Sequence, residues 1–109
     1  MEKINYQELV QTILTKHSSN DLDKDTEVQL IFDTKREHYQ VINLVWKEQK
    51  LVYGCVIHVD IKEGKIWIQR DRTEIGIANE LVAAGVPKKD IILAFKAPYL
   101  RQFTEFAVE

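Results

Sequence analysis

The spacing of apolar residues changes its period along the chain. Residues 3–17 carry apolar side chains at helical spacing, so they predict an amphipathic helix that ends at a polar Ser-Ser-Asn-Asp segment. From Thr26 the apolar positions recur at every second residue, which is the period of a half-buried strand. The helical period returns after Asp71 and ends near Gly85 and Pro87, residues that favour a helix terminus. The pattern predicts a helix, a group of strands and a second helix with Thr73 as its N-cap and Ile75 in its buried stripe.

Four strand-like segments lie between the two predicted helices, at 26–33, 38–46, 51–61 and 65–70. Short polar turns join them, and short turns connect antiparallel neighbours. Glu63-Gly64 suits the tightest turn because glycine accepts positive φ. The apolar run at 91–95 favours a further strand. We therefore predict one α+β domain over residues 1–109, with an antiparallel four-stranded meander, or five strands if this run joins the sheet.

The third strand has the clearest alternation in the chain. Its odd-numbered positions are all apolar, from Leu51 to Ile61, and this set is expected to face the core. The sheet face away from the core would then carry surplus apolar side chains, namely Leu44, Trp46, Val52, Val56 and Trp67. An exposed apolar patch of this kind marks a protein interface, and tryptophan is a favoured anchor there. The alternative, that the C-terminal segment covers this face, stays open.

Charge and composition exclude some functions. The chain has 109 residues and a net charge of −2, so it lacks the cation excess of a sequence-independent DNA-binding protein. A loose basic group near Tyr99 and Phe103 resembles a nucleic-acid surface, although a solvated face is the favoured interpretation. This group consists of Lys88, Lys89, Lys96 and Arg101.

Other sequence features indicate a location in the cytoplasm. A single cysteine, Cys55, excludes an internal disulfide and suits a reducing compartment. The first residues are polar, unlike a signal peptide, and no stretch is long and apolar enough for a membrane span.

Candidate chemistry centres on His58 and Asp60, which are two residues apart and so leave the same face of a strand. This spacing could bind a metal or orient a base, with Asp71 as a conceivable third ligand. A hydrogen-bonded polar pair is the favoured interpretation. We find no converging set of catalytic groups and no clustered glycines for a phosphate, so the sequence predicts no enzyme and no cofactor.

Several collinear segments resemble the XisI-like family, the fdxN-element excision controlling factors of cyanobacteria. They are EVQLIFD, HYQ, YGCVIHVDIKEGKIWIQRD, GIANELV and GVPKKDIILAF, followed by RQFT and FAV near the end. The resemblance implies a small cytoplasmic protein involved in programmed excision of a DNA element during heterocyst differentiation. It also implies an accompanying XisH-like partner that resembles an endonuclease. The family has no assigned catalytic residues to transfer.

The leading hypothesis is a regulatory subunit that binds an XisH-like partner, forms a homo-oligomer and reaches DNA only indirectly. Direct DNA binding, inhibition of a nuclease partner in the manner of an antitoxin or immunity protein, and a small metal-dependent hydrolase remain as alternatives. Arg72 and Glu105 stand where the family commonly has glycine. If those positions need positive φ, the two loops are strained or rebuilt here.

Overall fold

A computed structural model describes residues 3–18 and 24–109 of the chain. Its elements, in chain order, are α1 (Tyr6–Ser18), β1 (Thr26–Asp33), β2 (His38–Lys47), β3 (Lys50–Lys62), β4 (Lys65–Asp71), α2 (Ile77–Ala83) and β5 (Ile91–Leu93). Two 3₁₀ helices, Lys88–Asp90 and Pro98–Phe103, flank β5. Among the described residues, no helix is long and apolar enough to cross a membrane.

The five strands form one sheet in the order β1-β2-β3-β4-β5. Strands β1 to β4 pair antiparallel, which confirms the predicted α+β fold and its meander. β5 joins the sheet beside β4 but runs parallel to it. The parallel direction follows from the connection, because α2 carries the chain back along the sheet before β5 begins.

The turn between β3 and β4 has the predicted form. Lys62 pairs with Lys65, and the two residues between them, Glu63 and Gly64, have φ values of 51° and 76°. Two positive φ values in a two-residue loop twist the backbone in the sense that the strands require. The turn between β2 and β3 is equally short and places Glu48 at φ 59°.

Both helices pack against the same face of the sheet, which we call the helix face. α1 buries Val10, Ile13 and Leu14 there, as its spacing predicts. α2 adds Ile77, Ala78 and Leu81. The sheet contributes alternate residues of each strand, and these belong to one continuous core: Tyr39, Val41, Ile57, Val59, Ile61, Ile66, Ile68 and Ile91. We call the opposite side of the sheet the open face.

The second helix begins later than the sequence predicts. Thr73 is not its N-cap: α2 starts at Ile77, after Gly76 at φ 95°, and Ile75 is exposed. The Asp71 carboxylate binds this loop, accepting hydrogen bonds from the backbone N–H groups of Thr73 (2.9 Å) and Ile77 (2.7 Å). The carboxylate therefore satisfies donors that a helix start leaves free.

The end of α2 agrees with the prediction. Gly85 has φ 105°, and its N–H donates to the Val82 carbonyl, while the N–H of Val86 donates to that of Leu81. These bonds close the helix in the manner of a Schellman motif.

Candidate functional site

A β-bulge at Val56 decides which side chains of β3 reach each face. The pairing of β2 with β3 is regular from the Lys47–Lys50 pair to the Ile42–Cys55 pair. The register then shifts by one residue, so that Val41 pairs with Ile57. Val56 is the extra residue of this bulge. Because strand side chains alternate between faces, one extra residue exchanges the faces to which odd- and even-numbered residues of β3 point on its two sides.

The bulge contradicts the predicted alternation of β3. Ile57, Val59 and Ile61 face the core, as expected. Cys55, Tyr53 and Leu51, which pair with Ile42, Leu44 and Trp46, lie on the open face instead.

The prediction that five apolar residues share the open face is correspondingly wrong in part. Leu44, Trp46 and Trp67 alternate with core residues of their strands and do lie on the open face. Val56 packs against the core, and Val52 shares the helix face because it pairs with Val45, four residues along β2 from the core residue Val41. Whether any of them forms an interface stays a prediction.

A different apolar group forms on the open face at the turn end of the β2–β3 hairpin. It consists of Leu44, Trp46, Leu51 and Tyr53, in the cross-strand pairs Trp46–Leu51 and Leu44–Tyr53, and we call it the arm patch. Tyr53 is 65% exposed, Trp46 56% and Leu51 43%, although paired apolar side chains on a strand are usually covered.

The C-terminal segment covers another part of the open face, around Trp67. The Arg101 guanidinium lies 5.8 Å from the centre of the Trp67 ring, and the Lys62 ammonium 4.8 Å from it. The chain then returns to the sheet edge, where the Ala107 N–H donates to the Ile91 carbonyl (2.9 Å). Both alternatives left open by the sequence therefore hold, each for one part: the tail lies over Trp67, and the arm patch is exposed.

The four basic residues considered for nucleic-acid contact have different surroundings. Lys88 pairs with Glu105 at 3.0 Å. Arg101 donates to the carbonyls of Lys96 and Ala94, both at 3.1 Å, so its guanidinium holds the C-terminal segment together. Lys89 and Lys96 are exposed. Contact with nucleic acid stays a prediction, but only part of the group presents its charge to solvent.

A cluster of polar residues lies on the open face next to the bulge. Asp60 accepts through one oxygen, Oδ1, from His38 Nδ1 at 2.8 Å and from His58 Nε2 at 2.9 Å. We call these three residues the polar triad. Gln69 Nε2 approaches the second carboxylate oxygen at 3.3 Å, and Gln40 lies 3.4 Å from His58 Nδ1. Asp60 is buried, whereas His38 is about half exposed.

The electrostatics of the triad favour an ionised acid. Burial alone would raise the pKa of Asp60, but the hydrogen bonds from His38 and His58 outweigh it, so the pKa lies below its ordinary value of 3.8. Cys55, on the same face, has a raised pKa because it is partly buried. Its thiol is thus a poor nucleophile at neutral pH.

The structure brings His58 and Asp60 together but not Asp71, which binds the loop before α2. The predicted third ligand was therefore wrong. The third member is His38, which no local sequence pattern indicates because the bulge places it opposite Asp60. Without Val56, the turn register would pair His38 with Val59; with it, His38 lies opposite Asp60. The only sequence signal was the polar spacing of His38 and Gln40 at the start of an apolar strand.

The XisI family model, described as "XisI protein", matches residues 1–108. The chain belongs to the XisI family. Its fold agrees with a crystal structure of a XisI-like protein from Anabaena variabilis ATCC 29413, which is 52% identical, with a TM-score of 0.90 over 95% of this chain and 96% of that one.

A second solved relative of this XisI-family chain is the fdxN element excision controlling factor XisI from the same organism. It is 37% identical, with a TM-score of 0.83, and covers 95% of this chain and 96% of its own. No curated protein matches the chain.

The two departures from the usual family pattern leave no strained backbone in this XisI-family chain. In the described ranges, the non-glycine residues with positive φ are Glu37, Glu48 and Glu63, so Arg72 and Glu105 both have negative φ. Their loops need no glycine here.

Proposed function

We propose that this XisI-family chain is an accessory protein in the control of excision of a DNA element, and that it acts by binding another protein. Membership of the family supports this role, together with a relative of 37% identity that is named an fdxN element excision controlling factor. The chain works in the cytoplasm, reaches DNA indirectly and carries out no catalysis of its own.

The observation that carries the binding role is the arm patch. Trp46 and Tyr53 present large apolar surfaces to solvent from strands whose backbone is held by pairing within the sheet, so little ordering is needed when a partner binds. Tryptophan and tyrosine are the residues that most often dominate protein–protein binding energy. The occupant we propose is an XisH-like, endonuclease-like partner.

One further observation favours binding to a protein over direct binding to DNA. Lys88 and Arg101 contact groups of the chain itself, which weakens the case for direct DNA contact.

The test is the affinity for the XisH-like protein, measured by isothermal titration calorimetry with the full chain. We expect Trp46→Ala to weaken binding by more than about tenfold, because a central aromatic anchor is worth about 2 kcal/mol or more. Tyr53→Ala should act in the same direction. Phe103→Ala is the matched control, since Phe103 is 78% exposed but belongs to the C-terminal segment.

Light scattering of the chain alone shows whether the arm patch binds a second copy of the chain instead of the proposed partner. If Trp46→Ala abolishes self-association and leaves partner binding unchanged, the arm patch is a homo-oligomer interface and the proposal fails for the partner. Equal affinities for wild type, Trp46→Ala and Tyr53→Ala would remove the arm patch from both roles.

Growth of cells that make the partner alone or together with the chain then distinguishes a nuclease inhibitor from an activator.

A further inference from the structure

We propose that His38, His58 and Asp60 form a binding site for a divalent transition-metal ion, for which Zn²⁺ is the best fit. The proposal goes beyond the role in excision and does not depend on it. It rests on the convergence of three ligand atoms, on their chemistry and on the residues that hold them.

The ligand atoms come from two paired strands. His38 and Asp60 are direct cross-strand partners, and His58 is two residues before Asp60 on the same face. One ligand atom from each residue lies within 4.8 Å of the other two. Paired strands hold such a set more rigidly than a loop, so little ordering is needed when an ion binds.

The donor set selects the class of ion. Two imidazole nitrogens and one carboxylate oxygen suit zinc and its neighbours, whereas magnesium and calcium prefer oxygen ligands. Three protein ligands also leave a coordination position for water. The outward side of the triad supplies that position because His38 is about half exposed.

The separations change only slightly when an ion enters. Bond lengths of about 2.0–2.1 Å in a tetrahedral zinc site place neighbouring ligand atoms about 3.3 Å apart. The two nitrogen–oxygen distances here, 2.8 and 2.9 Å, are hydrogen bonds and need to open by about half an ångström at that spacing. The two rings also need to approach each other, and rotation of the exposed His38 ring allows this.

An ion replaces the protons that the two rings now direct towards Asp60. Each inner nitrogen then supplies a lone pair, and the ring proton resides on the outer nitrogen. For His58 the outer nitrogen is Nδ1, and the amide nitrogen Nε2 of Gln40 lies 3.4 Å from it. When an ion binds, a flip of the Gln40 amide presents its oxygen to the Nδ1 proton, which is the usual arrangement around a metal-binding histidine. Gln69 orients the carboxylate in the same way from the other side.

The experiment uses the purified full chain, titrated with Zn²⁺ in competition with a chromophoric chelator, and with Co²⁺ while the visible absorption is recorded. We expect about one ion per chain and a cobalt spectrum typical of nitrogen and oxygen ligands. His38→Ala and Asp60→Asn should each weaken binding by at least about tenfold, and Gln40→Ala by about tenfold. His38→Ala is informative on its own because an exposed side chain can be removed without disturbing the core.

Two variants serve as controls. His17, whose Nε2 pairs with Glu80 at 2.5 Å, has no third metal-ligating group beside it among the residues that the structure describes, so His17→Ala should leave the affinity unchanged. Cys55→Ser tests the thiol on the same face and should also have no effect. The proposal is overturned if the wild type fails to compete with the chelator, or if His38→Ala binds as tightly as His17→Ala.

Discussion

The two ends of the β2–β3 hairpin have the same kind of sequence and different surroundings. At the end near the helices, alternate residues such as Tyr39, Ile57 and Val59 are completely buried under α1 and α2. At the turn end, Trp46 and Tyr53 alternate just as regularly and are exposed. Alternation therefore specifies a strand, but what packs against the strand decides whether its apolar side is buried core or exposed surface.

The bulge separates these two ends. It keeps Ile57 and Val56 on the helix face and transfers Cys55, Tyr53 and Leu51 to the open face. The same extra residue brings His38 opposite Asp60. One inserted residue thus produces both the arm patch and the polar triad, which fits the tendency of bulges to lie beside functional sites.

The largest expected effect is on stability, and it distinguishes truncation of a core residue from truncation of a residue in the arm patch. Ile57→Ala should lower the free energy of unfolding by about 2–5 kcal/mol, because it leaves a cavity in the core. Leu51→Ala, on the same strand but 43% exposed, should cost less than about 1 kcal/mol. Urea unfolding followed by circular dichroism measures both. Equal losses would show that the turn end is as well packed as the other.

A smaller effect is expected for the polar triad. Asp60→Asn should lower the free energy of unfolding by about 1–3 kcal/mol at neutral pH, because charge-assisted hydrogen bonds are lost in a buried place. Since the pKa of Asp60 is lower in the folded state, the unfolded state binds more protons as the solution is acidified. The contribution of Asp60 to the free energy of unfolding is therefore complete above the ordinary pKa of 3.8. It disappears as the pH falls through the lower pKa of Asp60 in the folded state.

Urea unfolding of wild type and Asp60→Asn between pH 2 and 7 tests the direction of this pH dependence. The difference between the two proteins should shrink as the pH falls below about 4. A difference that grows below about pH 4 would mean that Asp60 is stabilised in its protonated form.

Local patterns predicted much of the fold. Period and turn chemistry located α1, the four antiparallel strands and the Glu63-Gly64 turn to within a few residues. The start of α2 was misplaced because Asp71, six residues before Ile77, satisfies the helix start from a distance that a capping pattern does not anticipate. Sequence period also says nothing about the direction of β5, which depends on its connection.

The candidate sites were less predictable. His58 and Asp60 follow from strand geometry, but His38 joins them only through a register shift between strands, which no local pattern encodes. The same shift explains why Val52 and Val56 were assigned to the wrong face. The partial burial of Trp67 by the C-terminal segment was also not predictable. Arg101 is distant from Trp67 in sequence, and its guanidinium lies near the ring only because the C-terminal segment folds back over the sheet.

The most direct test of the binding role is hydroxyl-radical footprinting of the chain with and without the XisH-like protein, read out by mass spectrometry. It compares exposed aromatic side chains in two regions, Trp46 and Tyr53 in the arm patch and Tyr99 and Phe103 in the C-terminal segment. We predict that the partner protects Trp46 and Tyr53 and leaves Tyr99 and Phe103 as reactive as before. Protection of the C-terminal pair with unchanged oxidation of Trp46 and Tyr53 would contradict the account.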